Sequence, residues 1–422
     1  MKRTKNIAEY IFCIAAVSIL MDGCGKETEP VEGIENFVTG IEDITVPAET
    51  KIIGLGEATH GNIELQNLKK EVFQVLVENG DCRVFALEAD FGGGCKVNEY
   101  IHGGEGTAEK AVAELGFGLY RTDAMADFVE WLRQYNETAP EDEQVCFYGF
   151  DMQRYDNNKE ILFEYLSKVD ETGRLALEES LKGLTDETVY TQEKEENKKA
   201  AEHMETFLAN MEEKRDYYIS MSDEKSYSIA YACAECILQN ATIQSGSVTY
   251  NVARDQYMAD KVTTIMKLEP NERIMISGHN GHIQKKSSNA SYTCMGELLA
   301  GEYGAEYYTI GTDFIEGEVN VINGAGDEQN IHFKSENALK TQIQSLDGNI
   351  FYLNIATALE NPALSDILNH PLKMISIGNE FSGGQKLLEA FYTVNDIPAD
   401  CYDGIIILKT VTPTERKPAP EN

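Results

Sequence analysis

The amino-acid sequence predicts an α/β fold, with a mainly parallel central sheet flanked by helices and a helical insertion lobe covering the C-terminal ends of the strands. Short apolar runs recur along the chain and are separated by stretches with helical spacing, a pattern typical of parallel strands buried on both faces. Between residues 157 and 248 the strand signal vanishes and Leu, Ala, Glu and Lys predominate. We expect that segment to form the lobe.

The N-terminus has the layout of an export signal. Lysine and arginine are frequent in the first five residues, an apolar run covers residues 11–20, and Gly23-Cys24 follows. Because a transmembrane helix needs about 20 apolar residues, we expect residues 1–23 to be a lipoprotein-type signal peptide and Cys24 to carry the lipid. The protein would then be exported and membrane-anchored, facing outside the cytoplasm. A plain signal peptide and a retained anchor are the alternatives.

A tether and a short helix are expected over residues 24–46. The apolar residues Ile34, Phe37, Ile41 and Ile44 are spaced for one amphipathic helix before Pro47.

The first part of the α/β catalytic domain is expected over residues 47–156. Apolar residues at helical spacing predict helices over residues 65–76 and 125–132, and apolar runs predict strands over 83–87 and 145–150. Since each helix lies between two strands, we expect successive right-handed β-α-β units.

After the helical insertion at 157–248, we expect a second part of the catalytic domain over residues 249–412. Its predicted strands are Arg273–Ser277, Tyr307–Ile310, Asn349–Leu353 and Gly404–Leu408. Residues 413–422 are polar and rich in proline, so we expect a flexible tail. Within the domain, Gly92 to Gly94 lacks the Gly-Lys-Ser/Thr ending of a phosphate-binding loop and is interpreted as a flexible or close-packed turn.

The charge of the chain limits its partners. With a formal net charge of -35 over 422 residues, general electrostatics disfavours nucleic acid and anionic membrane surfaces. We therefore expect no nucleic-acid partner, and membrane contact only through the lipid on Cys24.

Four predicted strands end in titratable residues. Glu57 and His60 follow the first strand, Glu88 and Asp151 end the next two, and His279 and His282 follow a later one. In a parallel sheet the carboxyl ends of the strands share one edge, where the ligand crevice lies. The sequence therefore predicts that these side chains form one site.

The residue types at these strand ends suit general-base chemistry. A carboxylate beside an imidazole fixes the ring tautomer and stabilises the imidazolium formed when water loses a proton. The later histidines could donate hydrogen bonds to a developing oxyanion. No Gly-x-Ser-x-Gly motif is present, which disfavours the usual serine hydrolase. The same residue types could instead hold a divalent metal, or could simply cap helices and satisfy loop backbone.

Several motifs together resemble the erythromycin esterase family. The motifs are Gly56-Glu57-Ala58-Thr59-His60-Gly61, Leu87-Glu88-Ala89-Asp90, Val97-Asn98-Glu99-Tyr100-Ile101, Asp127-Phe128-Val129-Glu130-Trp131-Leu132-Arg133, Phe147-Tyr148-Gly149-Phe150-Asp151-Met152-Gln153, Arg254-Asp255-Gln256-Tyr257-Met258-Ala259 and His279-Asn280-Gly281-His282. Met295-Gly296 and Ile310-Gly311-Thr312-Asp313-Phe314 extend the match. The resemblance covers roughly residues 50 to 320 in order.

The resemblance implies a carboxylic-ester hydrolase that opens an ester or macrolactone with activated water, without a covalent nucleophile and without a metal cofactor. On that resemblance His60 is the general base, assisted by Glu57 and Glu88, and His279 completes the catalytic set. The substrate-binding residues are then His282, Lys69, Arg121 and Asp151. The implied partner is a small-molecule ester such as a macrolide.

Two positions depart from the family pattern. Lys69 stands where relatives commonly have arginine, which keeps the charge but loses the bidentate fork, and Ala124 stands where relatives often have glutamate. The substrate is therefore less well defined than the reaction class. The alternative functions are a lipid-tethered metal- or haem-binding protein on the same scaffold and a metal-dependent hydrolase.

Overall fold

The computed structural model describes residues 30–80, 82–270 and 272–420. The predicted signal peptide and Cys24 lie outside the described residues. The strands are β1 (Val38–Thr39), β2 (Ile52–Glu57), β3 (Val84–Asp90), β4 (Cys146–Asp151), β5 (Ile274–His279), β6 (Tyr307–Ile322), β7 (Glu328–Lys334), β8 (Ile350–Asn354), β9 (Leu372–Ile375), β10 (Thr393–Asp396) and β11 (Gly404–Val411).

Helices surround and connect these strands. They are α1 (Ile63–Glu78), α2 (Phe91–Ile101), α3 (Ala108–Ala113), α4 (Asp123–Thr138), α5 (Asp156–Val169), α6 (Glu171–Leu181), α7 (Lys194–Glu213), α8 (Arg215–Met221), α9 (Glu224–Ser245), α10 (Tyr250–Leu268), α11 (Asn280–Ile283), α12 (Met295–Tyr303), α13 (Ala338–Ile343), α14 (Ile355–Ala358), α15 (Pro362–Leu368) and α16 (Pro398–Cys401). Short 3₁₀ turns cover Ile34–Asn36, Ile41–Asp43, Gly118–Tyr120, Glu141–Glu143, Gly304–Glu306, Gly383–Leu387 and Glu389–Phe391.

The described part of the chain forms a nine-stranded, mostly parallel sheet. Its strand order is β1-β8-β11-β6-β2-β5-β3-β4, and β7 pairs with the C-terminal half of β6. Neighbours from β11 to β4 run parallel, whereas β1, β7 and β8 form antiparallel pairs. The prediction of an α/β fold with a mainly parallel central sheet is confirmed. A separate antiparallel pair, β9 with β10, was not predicted.

The two faces of the sheet pack against different helices. Alternate side chains on β2 and β3, such as Ile53 and Phe85, join one core with α1 and α4. Their neighbours Ile52 and Val84 join a second core, to which helices α5 to α10 contribute. These contacts place the helices of the insertion against a face of the sheet. Helix α10 contacts the carboxyl ends of β3 and β4, because its Arg254 side chain donates hydrogen bonds to Glu88 and Asp151.

No amphipathic helix forms over residues 31–46, so that prediction is wrong. Two 3₁₀ turns flank the short strand β1, in which Val38 pairs with Leu353 of β8. Gly33 has a positive φ of 73° and Gly40 is extended, so both interrupt a helix that apolar spacing alone suggested.

The glycine run is not a turn but lies within α2. A Cβ atom on Gly94 would lie 2.0 Å from the backbone nitrogen of Gly149 in β4. Close packing, rather than flexibility, therefore explains these glycines, because only glycine allows the helix to approach the strand this closely.

The C-terminal segment makes long-range contacts over its described residues, 413–420. The backbone N–H of Thr414 donates to the carbonyl of Gly61 at 3.0 Å, and the Lys417 side chain forms an ion pair with Asp123 at 2.8 Å. These partners are distant in sequence, so the polar and proline-rich composition that suggested a flexible tail did not indicate them.

Among the described residues, no helix combines the length and apolar character needed to cross a membrane.

Candidate active site

The loop after β2 is held on several sides by residues from distant parts of the chain. The N–H of Ala58 donates to Thr312 Oγ1 at 2.9 Å, and the N–H of Ile377 donates to the Ala58 carbonyl at 2.9 Å. The Gly61 carbonyl accepts 3.0 Å hydrogen bonds from Asn320 and Thr414. This frame fixes the orientation of Glu57 and His60.

Glu57 is clamped between an imidazole and an ammonium group. Its Oε1 lies 2.8 Å from Nδ1 of His60, and its Oε2 accepts a 2.5 Å hydrogen bond from Nζ of Lys69. Burial opposes ionisation of Glu57, but Lys69 and His60 lower its pKa overall. The carboxylate therefore remains charged, and the pairing of Nδ1 leaves Nε2 of His60 as the nitrogen that can take a proton.

His279 lies beside His60 and is held as a neutral ring. The two ring centroids are 5.7 Å apart, and strand register places His279 opposite Glu57. Its Nδ1 accepts the N–H of Gly281 at 3.2 Å, so the proton of the neutral ring is on Nε2. Burial, with His60 and His282 nearby, lowers its pKa to about 4.

The Nε2 atom of His279 is buried and has no hydrogen-bond partner among the described residues. An unpaired buried donor costs about 1 to 3 kcal/mol, so such a group in a native structure calls for a partner that the protein does not supply. Beside His60, this donor can serve a substrate oxygen.

Glu88 is the anionic anchor of a buried charge network. Arg254 Nη2 donates to Glu88 Oε1 and to Asp151 Oδ2, both at 2.7 Å, and the N–H of His279 donates to Glu88 Oε2 at 2.8 Å. Burial disfavours the charge on Glu88, but His282, Arg254 and His60 lower its pKa well below its ordinary value. Glu88 thus orients His279, and no direct hydrogen bond joins it to His60 in the described structure.

His282 is fixed at both ring nitrogens. Its Nδ1 lies 2.7 Å from Asp255 Oδ1, and its Nε2 lies 3.0 Å from Arg254 Nη1, which can only donate. Burial opposes the charged ring, but Asp255 and Glu88 raise the pKa of His282 overall. His282 therefore binds within the network rather than offering a free donor.

Six of the predicted site residues lie together, whereas Lys69 lies behind Glu57 and Arg121 binds the C-terminal segment. Brought together are His60, Glu57, Glu88, His279, His282 and Asp151. Lys69 is only 1% exposed behind Glu57, so it fixes that carboxylate and is not positioned to touch a substrate. Arg121 instead donates from Nε to the carbonyl of Lys417 at 3.1 Å.

Three residues of the cluster carried no predicted role. Arg254 and Asp255 lie in the second turn of α10. Arg254 binds Glu88, and Asp255 binds His282. Tyr120 lies edge-on to His60 with ring centroids 6.5 Å apart, and its hydroxyl donates to the Glu88 carbonyl at 3.0 Å. The adjacent charges of Arg254-Asp255 were a signal in the sequence, but nothing local indicated which strand ends they would meet.

The described residues contain no group of three or more His, Cys, Asp or Glu side chains arranged to hold a metal ion. The Nδ1 atoms of the neighbouring residues His60 and His279 already have hydrogen-bond partners, Glu57 and the N–H of Gly281 respectively.

Comparison with known proteins identifies the family. The erythromycin esterase family model matches residues 77–411. Erythromycin esterase type II from Escherichia coli is 24% identical over 304 residues, which is 65% of this chain and 71% of that protein.

Solved structures share the fold. A Bacillus cereus protein superposes with a TM-score of 0.76 at 22% identity, covering 88% of this chain and 91% of that one. A succinoglycan biosynthesis protein gives a TM-score of 0.73 at 20% identity, with 88% and 90% covered. A histidine-to-asparagine mutant of the erythromycin esterase EreC, in its open conformation, superposes with a TM-score of 0.63 at 15% identity. The superposition covers 86% of this chain and 91% of that one. With a family model matched over most of its length, this chain belongs to the erythromycin esterase family.

Proposed function

We propose that this protein is a carboxylic-ester hydrolase in which His60 activates water for direct attack on the ester carbonyl. The observation that carries the proposal is the buried pairing of His60 with Glu57 at 2.8 Å, beside the unpartnered Nε2 of His279. Family membership supports the same class of reaction.

In the proposed reaction, Nε2 of His60 takes a proton as the water oxygen bonds to the carbonyl carbon. Glu57 stabilises the resulting imidazolium through Nδ1. The Nε2–H of His279 donates to the oxygen that becomes negative. When the acyl C–O bond breaks, the His60 imidazolium returns its proton to the leaving alkoxide, so the products are one carboxylic acid and one alcohol.

Other residues of the cluster act as positioning residues. Lys69 keeps Glu57 ionised, while Glu88 holds the backbone of His279, and Arg254 neutralises Glu88. These contacts preorganise the donors before substrate arrives, which reduces the reorganisation that the reaction requires.

We propose a macrolide ester as the substrate, on the basis of the family and of the E. coli relative. The test is a panel of 14- and 16-membered macrolides and simple activated esters, followed by mass spectrometry for the gain of one water. Wild-type protein should add water to a macrolide, His60→Ala should not, and the exposed His102→Ala serves as a matched control. Equal turnover by wild type and His60→Ala contradicts the mechanism. Turnover of simple esters alone contradicts only the macrolide assignment.

The proposed reaction uses no metal or other cofactor. Turnover should therefore survive extensive treatment with a chelator. If chelation abolishes activity and a divalent ion restores it, the metal-dependent alternative replaces this mechanism.

We also propose that the protein is exported and tethered through lipid on Cys24, on the basis of the sequence of residues 1–24. Metabolic labelling with a radioactive fatty acid should mark the wild type and not Cys24→Ala. Equal labelling of the two proteins, or none of either, contradicts the tether.

A further inference from the structure

The C-terminal segment brings two arginine residues, Arg121 and Arg416, near each other. Arg121 donates from Nε to the carbonyl of Lys417 at 3.1 Å, and the Lys417 N–H donates to the Arg121 carbonyl at 2.6 Å. The preceding residue, Arg416, donates from Nε to Asn320 Oδ1 at 2.8 Å. Each guanidinium is thus fixed through Nε, which leaves its terminal nitrogens for another partner.

Neither arginine is neutralised by direct contact. Within the described ranges, no carboxylate lies within ion-pair distance of Arg121 or Arg416. Both arginines instead donate to neutral oxygens, the Lys417 carbonyl and Asn320 Oδ1. The Nη2 atom of Arg416 is moreover buried and has no hydrogen-bond partner among the described residues.

The surroundings of Arg416 disfavour its positive charge. Burial is the largest effect and lowers the pKa of Arg416, Glu328 raises it, and Arg121 lowers it more weakly than Glu328 raises it. Like charges and an unpaired buried donor are both unfavourable unless an anion joins them. The planar guanidinium fork matches carboxylate and phosphate oxygens, and two forks can share one anion.

Both arginines lie close in sequence to residues that contact the loop carrying His60 and Gly61. Arg121 follows Tyr120, whose ring contacts His60, and Thr414, two residues before Arg416, donates to the Gly61 carbonyl. Asn320, the partner of Arg416, donates its own N–H to the same carbonyl.

We propose that Arg121 and Arg416 form an anion-binding subsite beside His60, which takes a carboxylate or phosphate group. The group belongs to the substrate, as a substituent away from the scissile ester, or it is a free anion. The first source rests on the proposed hydrolase function, whereas anion binding itself does not.

Calorimetric titration with inorganic phosphate tests the subsite independently of catalysis. Wild-type protein should bind phosphate, and both Arg121→Gln and Arg416→Gln should weaken the binding at least about tenfold. The matched control is Arg215→Gln, which removes the same charge from a half-exposed position on α8, where Arg215 pairs with Glu224. Arg416→Lys retains the charge without the fork, and we expect intermediate affinity. Thermal melts establish that each variant is folded. Absence of phosphate binding, or equal affinity in all the variants, overturns the proposal.

A pair of esters that differ only in a carboxylate substituent, the second carrying a neutral amide there, distinguishes the two sources. If the substrate supplies the anion, Arg416→Gln should reduce the ratio of kcat/KM for the charged ester to that for the neutral ester at least about tenfold. If phosphate binds and this ratio is unchanged, the subsite holds a free anion. Loss of turnover in His60→Ala alone reports on the hydrolase proposal and not on this one.

Discussion

The Nδ1 atom of His60 lies 2.8 Å from Oε1 of Glu57, and both residues are almost completely buried. Because Nδ1 is engaged by Glu57, Nε2 is the ring nitrogen of His60 that remains free to take a proton.

Replacing Glu57 with glutamine should lower kcat/KM by about 100-fold or more, because the neutral amide can neither hold the correct tautomer nor stabilise the imidazolium. The double variant His60→Ala/Glu57→Gln should be no slower than His60→Ala, since the two residues act as one unit. Steady-state kinetics on the most rapidly cleaved ester of the panel measures both effects. Losses that simply multiply in the double variant would contradict a shared role.

Lys69→Met should destabilise the protein by about 3 to 5 kcal/mol, because it leaves the buried Glu57 carboxylate without its cation. Urea denaturation measures the change in the free energy of unfolding. The neighbouring Lys70→Met is the matched control and should cost less than about 1 kcal/mol. If the two variants unfold alike, Lys69 does not support the site.

His279 should make stability depend on pH. Its pKa is lowered to about 4 in the folded protein from an ordinary value of 6.5, so the unfolded chain binds a proton that the folded chain excludes. The stabilisation is complete above pH 6.5 and is lost as the pH falls towards 4. Between pH 7 and pH 5 this residue should account for about 2 kcal/mol. Denaturation of wild type and His279→Gln at both pH values isolates the effect, and equal pH dependence in the two proteins would refute it.

Arg254→Met should also destabilise the fold, by about 3 to 5 kcal/mol, because Glu88 and Asp151 lose their shared cation. Arg174→Met removes an arginine whose ion pairs with Glu171 and Glu178 lie on the surface, and it should have a smaller effect. Chemical denaturation of the two variants provides the comparison. A similar loss in both would show that burial of the Arg254 network carries no special cost.

Deleting residues 413–422 should lower stability by about 1 to 3 kcal/mol, since the segment bonds to Gly61, Asn320 and Asp123. Thermal and urea unfolding of the truncated protein measures the loss. An unchanged midpoint would support the original expectation of a frayed tail.

The parts of the fold that were predicted correctly depend on short-range patterns. Apolar runs identified β2, β3, β4, β5, β8, β11 and the first residues of β6, and helical spacing identified α1 and α4. Strands β7, β9 and β10 are polar or short, and only pairing with distant strands makes them regular. The helix expected over residues 31–46 failed for the same reason, because its apolar residues pack against β8 and neighbouring helices.

The candidate site divides in the same way. The sequence by itself determined that Glu57, His60, Glu88 and His279 stand at strand ends, because strand periodicity and parallel topology bring those ends to one edge. Only the tertiary structure decided that Lys69 is a buried partner of Glu57, that Arg254 joins Glu88 to Asp151, and that Arg121 binds Lys417, the residue after Arg416. Charge pairing depends on distances of a few ångströms between segments far apart in the chain, and no local pattern encodes those distances.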